Sequence, residues 1–192
     1  MITNFTRDAT SAAKSDSPAF ISESGAYAGV IRQAYTYTSQ GGAQMMNFNF
    51  MDRETGAIAW IDLCVTKRDG QPAFGMDLFN ALLTCMGVDS CNAVQGKARN
   101  RKGEVFDAYR IKEIENRPIG LVLQKELSSY TGNDGEIHDS YRMNLFKPFD
   151  AQSHKTATEI IKGSEAKNLD ACLKNLKDRD TRSQNRQTAS AS

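Results

Sequence analysis

The sequence predicts a mainly β fold: an OB-like antiparallel Greek-key barrel with one internal helix and a C-terminal helical extension. Three observations carry this expectation. Three consecutive β-forming segments fill residues 27–67 and are separated by turn chemistry. A single helical stripe follows at residues 79–86. Three more strand-like stretches then occupy residues 104–146, giving the order of a small barrel with one helix set among its strands. Strand count alone leaves a β-sandwich open.

Residues 1–20 are rich in Ser, Thr, Ala and Asp without periodicity and read as a flexible N-terminal arm. Residues 21–150 form the expected domain, and residues 151–192 a C-terminal helix with a disordered tail. The first strand, Tyr27 to Tyr37, is dense in β-formers, but its inward face is ambiguous: Ala28, Val30 and Ala34 compete with Gly29, Ile31 and Tyr35. After Gly41-Gly42, Met46, Phe48 and Phe50 alternate with Asn47 and Asn49, which predicts the second strand of a hairpin. The turn at 52–56 leads to a third strand with Ile61, Leu63 and Val65 on one face and Trp60, Asp62 and Cys64 on the other.

Arg68-Asp69-Gly70 and Pro72 end the meander. Phe79, Leu82, Leu83 and Met86 then lie at helical spacing before Gly87, a helix stop. Residues 97–102 read as a turn-like loop leading into the strand 104–114. The strands 119–130 and 137–146 are joined by the turn-rich segment 131–136. Beyond Pro148, Ile160 and Ile161, then Leu169, Cys172, Leu173 and Leu176, set up a helical stripe broken at Gly163.

At 192 residues, 40% hydrophobic and 24% charged, the chain lies within the globular range. It has no apolar run of roughly 20 residues and no signal-like N-terminus, so a cytoplasmic, non-membrane protein is expected. Cys64, Cys85, Cys91 and Cys172 form no Cys-x-x-Cys pair and read as reduced thiols. His138 and His154 do not stand beside a cysteine at ligand spacing, and no metal or cofactor is expected.

Catalysis is not expected either. The chain carries no phosphate-binding Gly-x-x-x-x-Gly-Lys-Ser/Thr loop, no Gly-x-Gly-x-x-Gly after a strand and no His-Glu-x-x-His. Neither histidine is set beside a nucleophile. The expectation is a binding protein rather than an enzyme.

The binding case rests on aromatic residues interleaved with cations, the chemistry that holds single-stranded nucleic acid. Net charge is only +1, so affinity must come from local clustering. From residue 97 to 112, six cations stand against two anions, a local +4. Lys67, Arg68, Lys97, Arg99, Arg101, Lys102, Arg110 and Lys112 are therefore candidate phosphate contacts, with Arg110 and Lys112 read as sharing a strand face. Tyr35 and Tyr37 share a face, and Trp60 opposes the apolar face of its strand, which makes these three the candidate base-stacking residues. Phe48 and Phe50 read instead as core.

The run SGAYAGVIRQAYTYTSQGGAQMMNFNF, continued by WIDLCVTKRDGQP and the helix MDLFNALLTCMG, resembles the single-stranded DNA-binding proteins of tailed bacteriophages and prophages. The likeness is carried by Ser24-Gly25-Ala26-Tyr27, the turn at 39–43, the strand exit at 65–70, Pro118-Ile119-Gly120-Leu121 and Gln124-Lys125-Glu126, and it spans about residues 20–150. It implies an OB-fold that coats single strands during phage DNA replication or recombination in a bacterial host. Replication or recombination proteins would be its partners. The chain departs from the common acidic C-terminal tip by ending with Arg179, Arg182 and Arg186 among residues that are neutral apart from Asp180, so recruitment through such a tip is not expected. The alternative is an interaction or structural module of a phage or mobile element without nucleic-acid binding, in which the C-terminal stripe docks a second chain or makes a homo-oligomer; the preferred reading of that stripe is that it covers the open end of the chain's own barrel.

Overall fold

The expected meander forms the spine of the molecule. In the computed structural model, which describes residues 19–182, β1 (Gly25–Thr38), β2 (Gln44–Asp52) and β3 (Ile58–Thr66) pair antiparallel in sequence order. Most of the expected arm, and the tail from residue 183 with Arg186, lie outside the described residues. Phe48, Phe50 and Ile61 are fully buried, as are Ile31 and Ala34.

The ambiguous face of β1 has a structural cause. The register pairs Ile31 with Phe50 but Gln33 with Asn49, so Arg32 is an extra residue in a bulge. Gly29 and Ile31 face inward before the bulge and Ala34 after it, so each competing pattern is right for one half of the strand. Tyr35 and Tyr37 thereby turn to the outer face.

Helix α1 (Phe74–Met86) ends as expected on Gly87, which adopts a left-handed conformation with φ of 63°. It buries Phe79, Leu82 and Cys85 against the inner face of the sheet, with the rings of Phe48 and Phe79 stacked 6.4 Å apart. Gly75 lets the start of α1 lie on β3: a Cβ there would collide with the Cys64 carbonyl. Burial drives the Cys85 thiol up to about 12, leaving it inert.

The segment 97–102 is not the flexible loop the sequence suggested. β4 (Val94–Arg99) and β5 (Val105–Arg110) form a hairpin, and only residues 100–104 make its tip. Asn100 Oδ1 accepts from the Lys102 and Glu104 amides, and Gly103 takes φ of 85°. This local turn chemistry turns a basic run into a strand and a tip. The strand expected over 104–114 also stops at Arg110, and Lys112–Ile114 is a 3-10 turn. Arg110 and Lys112 therefore do not share a strand face.

β6 (Pro118–Thr131) pairs with the first half of β1, and β7 (Ile137–Phe149) pairs with β6. The second half of that β1 edge takes β5. The result is an antiparallel assembly that does not close, because β3 and β7 face each other without a ladder. The free edge of β3 is occupied at both ends. Ala19 and Ile21 bond to Ile58 at 2.8 and 2.9 Å, and the Ala73 amide donates to the Val65 carbonyl at 3.0 Å. Residues 19 and 20, expected in the arm, are thus tied to β3 together with Ile21.

Two short helices follow, α2 (Ala157–Lys162) and α3 (Asn168–Asn175), separated at Gly163 as expected. Leu169, Cys172, Leu173 and Leu176 pack on Val122 and Phe149 of the same chain, so the stripe proposed for docking is seated on its own sheet. Residues 179–182, read from the sequence as part of a disordered tail, are ordered against β6. Arg179–Asp180 forms β8, parallel to β6, anchored where Thr181 donates twice to the Leu127 carbonyl. No helix among the described residues is long and apolar enough to cross a membrane.

Glu159 clamps this C-terminal region. It completes a capping box with Thr156 and also accepts from the amides of Lys167 and Asn168 at 2.6 and 2.8 Å. Burial pushes its carboxyl up, but these amides and the Thr156 hydroxyl outweigh burial and hold it down at about 2. A depressed folded value stabilises the fold above the unfolded value of 4.5 and stops doing so as pH falls toward 2. Chemical denaturation of wild type and Glu159→Gln across that window should give a stability gap that narrows on acidification. A gap constant with pH would contradict this role.

Candidate nucleic-acid interface

On the outer face of β1–β3 the β4–β5 hairpin folds back over the sheet. Gln33 fixes it there: its side chain donates to the Arg99 carbonyl at 2.8 Å and accepts from the Arg99 amide at 2.9 Å. Ala98 and Ala108 of the hairpin bury Tyr35, and Phe106 meets the Tyr35 ring edge-on at 5.3 Å. Beneath the tip lies a cleft of about 470 Å³, lined by Tyr35, Tyr37, Trp60, Arg101, Lys102 and Phe106, with Asn47, Asp62, Asn100 and Glu104. Three aromatic residues from two strands of the meander and two cations from a segment forty residues away thus share one concavity.

The tip is tethered but not locked. Arg101 Nη2 donates to the Trp60 carbonyl at 3.2 Å and reaches Asp62 Oδ2 at a loose 3.5 Å, with the arginine side chain 55% exposed. Such an exposed pair contributes little to stability and yields readily to a stronger anion. Asp62 Oδ1 is held by the Tyr37 hydroxyl at 3.1 Å and by Asn47 Nδ2 at 2.8 Å. Burial and then Asp62 raise the Tyr37 hydroxyl to about 12, so it stays protonated as the donor. Asn47 is buried, and its Oδ1 has no partner.

The sequence candidates divide accordingly. Tyr37 and Trp60 offer partly exposed rings, whereas Tyr35 is only 8% exposed and serves as a wall that braces Tyr37, 6.2 Å away. Arg101 and Lys102 line the cleft; the other six cations do not. Lys97 pairs with Asp107 at 2.7 Å, and the Arg99 guanidinium donates to the Gly103 carbonyl at 2.6 Å. Arg110 is committed to Glu115 through two bonds of 2.8 and 2.6 Å and to the Lys97 carbonyl, which makes it a brace of the hairpin. Lys112 is exposed on its 3-10 turn. Lys67 and Arg68 lie in the turn after β3, where Arg68 runs along Gly42 of the β1–β2 turn.

Phe106, Asn47, Asp62 and Glu104 were not among the sequence candidates. Phe106 and Ala108 alternate with Asp107 and Tyr109, which marks a strand with one apolar face, but the sequence does not say that this face folds onto Tyr35. No protein-family model matches the chain, and no curated protein matches it. Function must be read from the chemistry of the cleft.

Proposed function

We propose that this protein binds single-stranded DNA with little sequence preference, seating it on the outer face of β1–β3 beneath the β4–β5 tip. The observation that carries the reading is the meeting of Tyr37 and Trp60 with Arg101 and Lys102 in one cleft. Aromatic faces stack any base and flexible cations take the backbone, which is sequence-tolerant binding. The strand order β3-β2-β1-β6-β7 supports an OB-like Greek-key barrel, since it becomes cyclic once β3 is set beside β7. The β4–β5 hairpin is then an insertion that roofs the binding face. The likeness to phage single-stranded DNA-binding proteins supports a role in coating strands during phage DNA replication or recombination.

Trp60 is the single tryptophan, so the fluorescence signal has one source, at the wall of the cleft. Oligo-dT should quench it, and duplex DNA of matched length should not. The logarithm of the affinity should fall linearly with the logarithm of salt concentration. At about −0.7 per phosphate neutralised, Arg101 and Lys102 together account for a slope of about −1.4. Salt-independent binding, or equal quenching by duplex, would overturn the proposal.

A further inference from the structure

The cleft beneath the hairpin is not isolated. Trp60 and Arg101 also line a small neighbouring depression of about 100 Å³, whose far wall is Tyr141 and Arg142 of β7. Arg142 in turn lines a third hollow of about 800 Å³ between β3 and β7, and Asp62 belongs to both the first and the third. Shared lining residues thus set the three hollows side by side in a trough across the edge of β3.

The first cleft is neutral, whereas the two hollows beyond it carry net positive charge. Titratable groups in the first cleft cancel, Arg101 and Lys102 against Asp62 and Glu104. In the third, Arg142, Lys147 and Arg179 oppose only Asp62 and Glu126. Glu126 is buried and takes Arg142 at 2.6 Å, Asn144 at 2.9 Å and Arg179 at 3.4 Å. One carboxylate cannot neutralise two guanidinium groups, and both arginine side chains remain more than 60% exposed. Glu126 thus pre-orients two cations whose outer edges face solvent, the arrangement suited to phosphate. Phe146 and Phe74, 43% and 75% exposed, line the same hollow as free aromatic surface.

Resting on the single-strand reading above, we infer that the β3–β7 hollow is a second subsite for the same strand, with Arg142 and Arg179 on its phosphates and Phe146 beneath a base. The strand enters under the hairpin tip, passes Trp60 and Arg142 and ends between β3 and β7. A strand too short to span the trough fills only the first cleft, whereas a longer one gains both affinity and salt dependence. OB-type site sizes run from about 4 to 16 nucleotides, which sets the lengths to compare.

The test is fluorescence anisotropy of labelled oligo-dT over that length range, with wild type and the pair Arg142→Gln and Phe146→Ala combined in the full chain. Glutamine still donates to Glu126, and Phe146 is exposed, so the fold is retained; a thermal melt checks this, and Lys147→Gln is a second variant on the same wall. Affinity for the longest oligonucleotide should fall about tenfold, and its salt slope should flatten by about 0.7 for the lost arginine contact. Affinity for the shortest, and its quenching of Trp60, should not change. Equal losses at both lengths, or no loss at the longest, overturn the second subsite while leaving the first intact. Failure of wild type to bind any length overturns the single-strand reading itself and the subsite with it.

Discussion

Trp60→Ala is expected to weaken single-strand binding by about fivefold to 150-fold. This follows from a base stack worth about 1–3 kcal/mol, with 1.4 kcal/mol equal to a factor of ten. The indole stands where two hollows of the trough meet, so no other side chain replaces its face. Labelled-oligonucleotide anisotropy measures the loss, because the variant has no intrinsic reporter. Trp60→Phe should keep most of the affinity, since it retains a ring at the same point of the sheet. If alanine binds as tightly as wild type, stacking is not what the cleft contributes.

The second large effect is on stability. Phe48→Ala should cost about 3–5 kcal/mol, the range for emptying a fully buried aromatic site. Phe48 lies at the centre of β2 and stacks on Phe79, so its loss detaches α1 from the sheet as well as opening a void. Small domains hold only about 5–15 kcal/mol in total, so much of the margin would be gone. The midpoint of urea unfolding reads this directly. A shift equivalent to less than about 1 kcal/mol would mean that neighbouring side chains collapse into the space.

What the sequence could announce, and what it could not, follows from the range of each signal. Alternation in β2 and β3 is local, and it assigned Phe48, Phe50, Ile61, Leu63 and Val65 to the core. The helical stripe at 79–86 is equally plain, because spacing and a terminal glycine agree, whereas the start of the helix at Phe74 carries no such signal. The basic run 97–102 was misread because Gly96, Lys97 and Arg99 weaken any strand pattern, while Ala98 is too small to announce the face it buries. The occupation of the β3 edge by residues 19–21 and 72–73 has no local signature in the sequence, because these residues belong to no strand pattern of their own.

The candidate site was legible in its parts and not in its grouping. Tyr35, Tyr37 and Trp60 stood out by residue type and strand face. Arg101 and Lys102 could not be told from Lys97, Arg99 or Arg110 until their partners were known. Lys97 is engaged by Asp107 across the hairpin, Arg99 by the Gly103 carbonyl at its tip and Arg110 by Glu115 beyond the 3-10 turn, and these pairings follow from register and turn geometry rather than composition.

The extra residue at Arg32 gives β1 two allegiances. Up to Ile31 the strand obeys the parity of the core; from Gln33 onward its parity is reversed, which lets Ala34 fill the core while both tyrosines turn outward. A strand without that slack would offer one or the other. The bulge works as a phase shifter between a half packed on the core and a half whose outer face lines the cleft. Substitutions in the outer positions of the second half can therefore retune the surface without disturbing the packing order of the first.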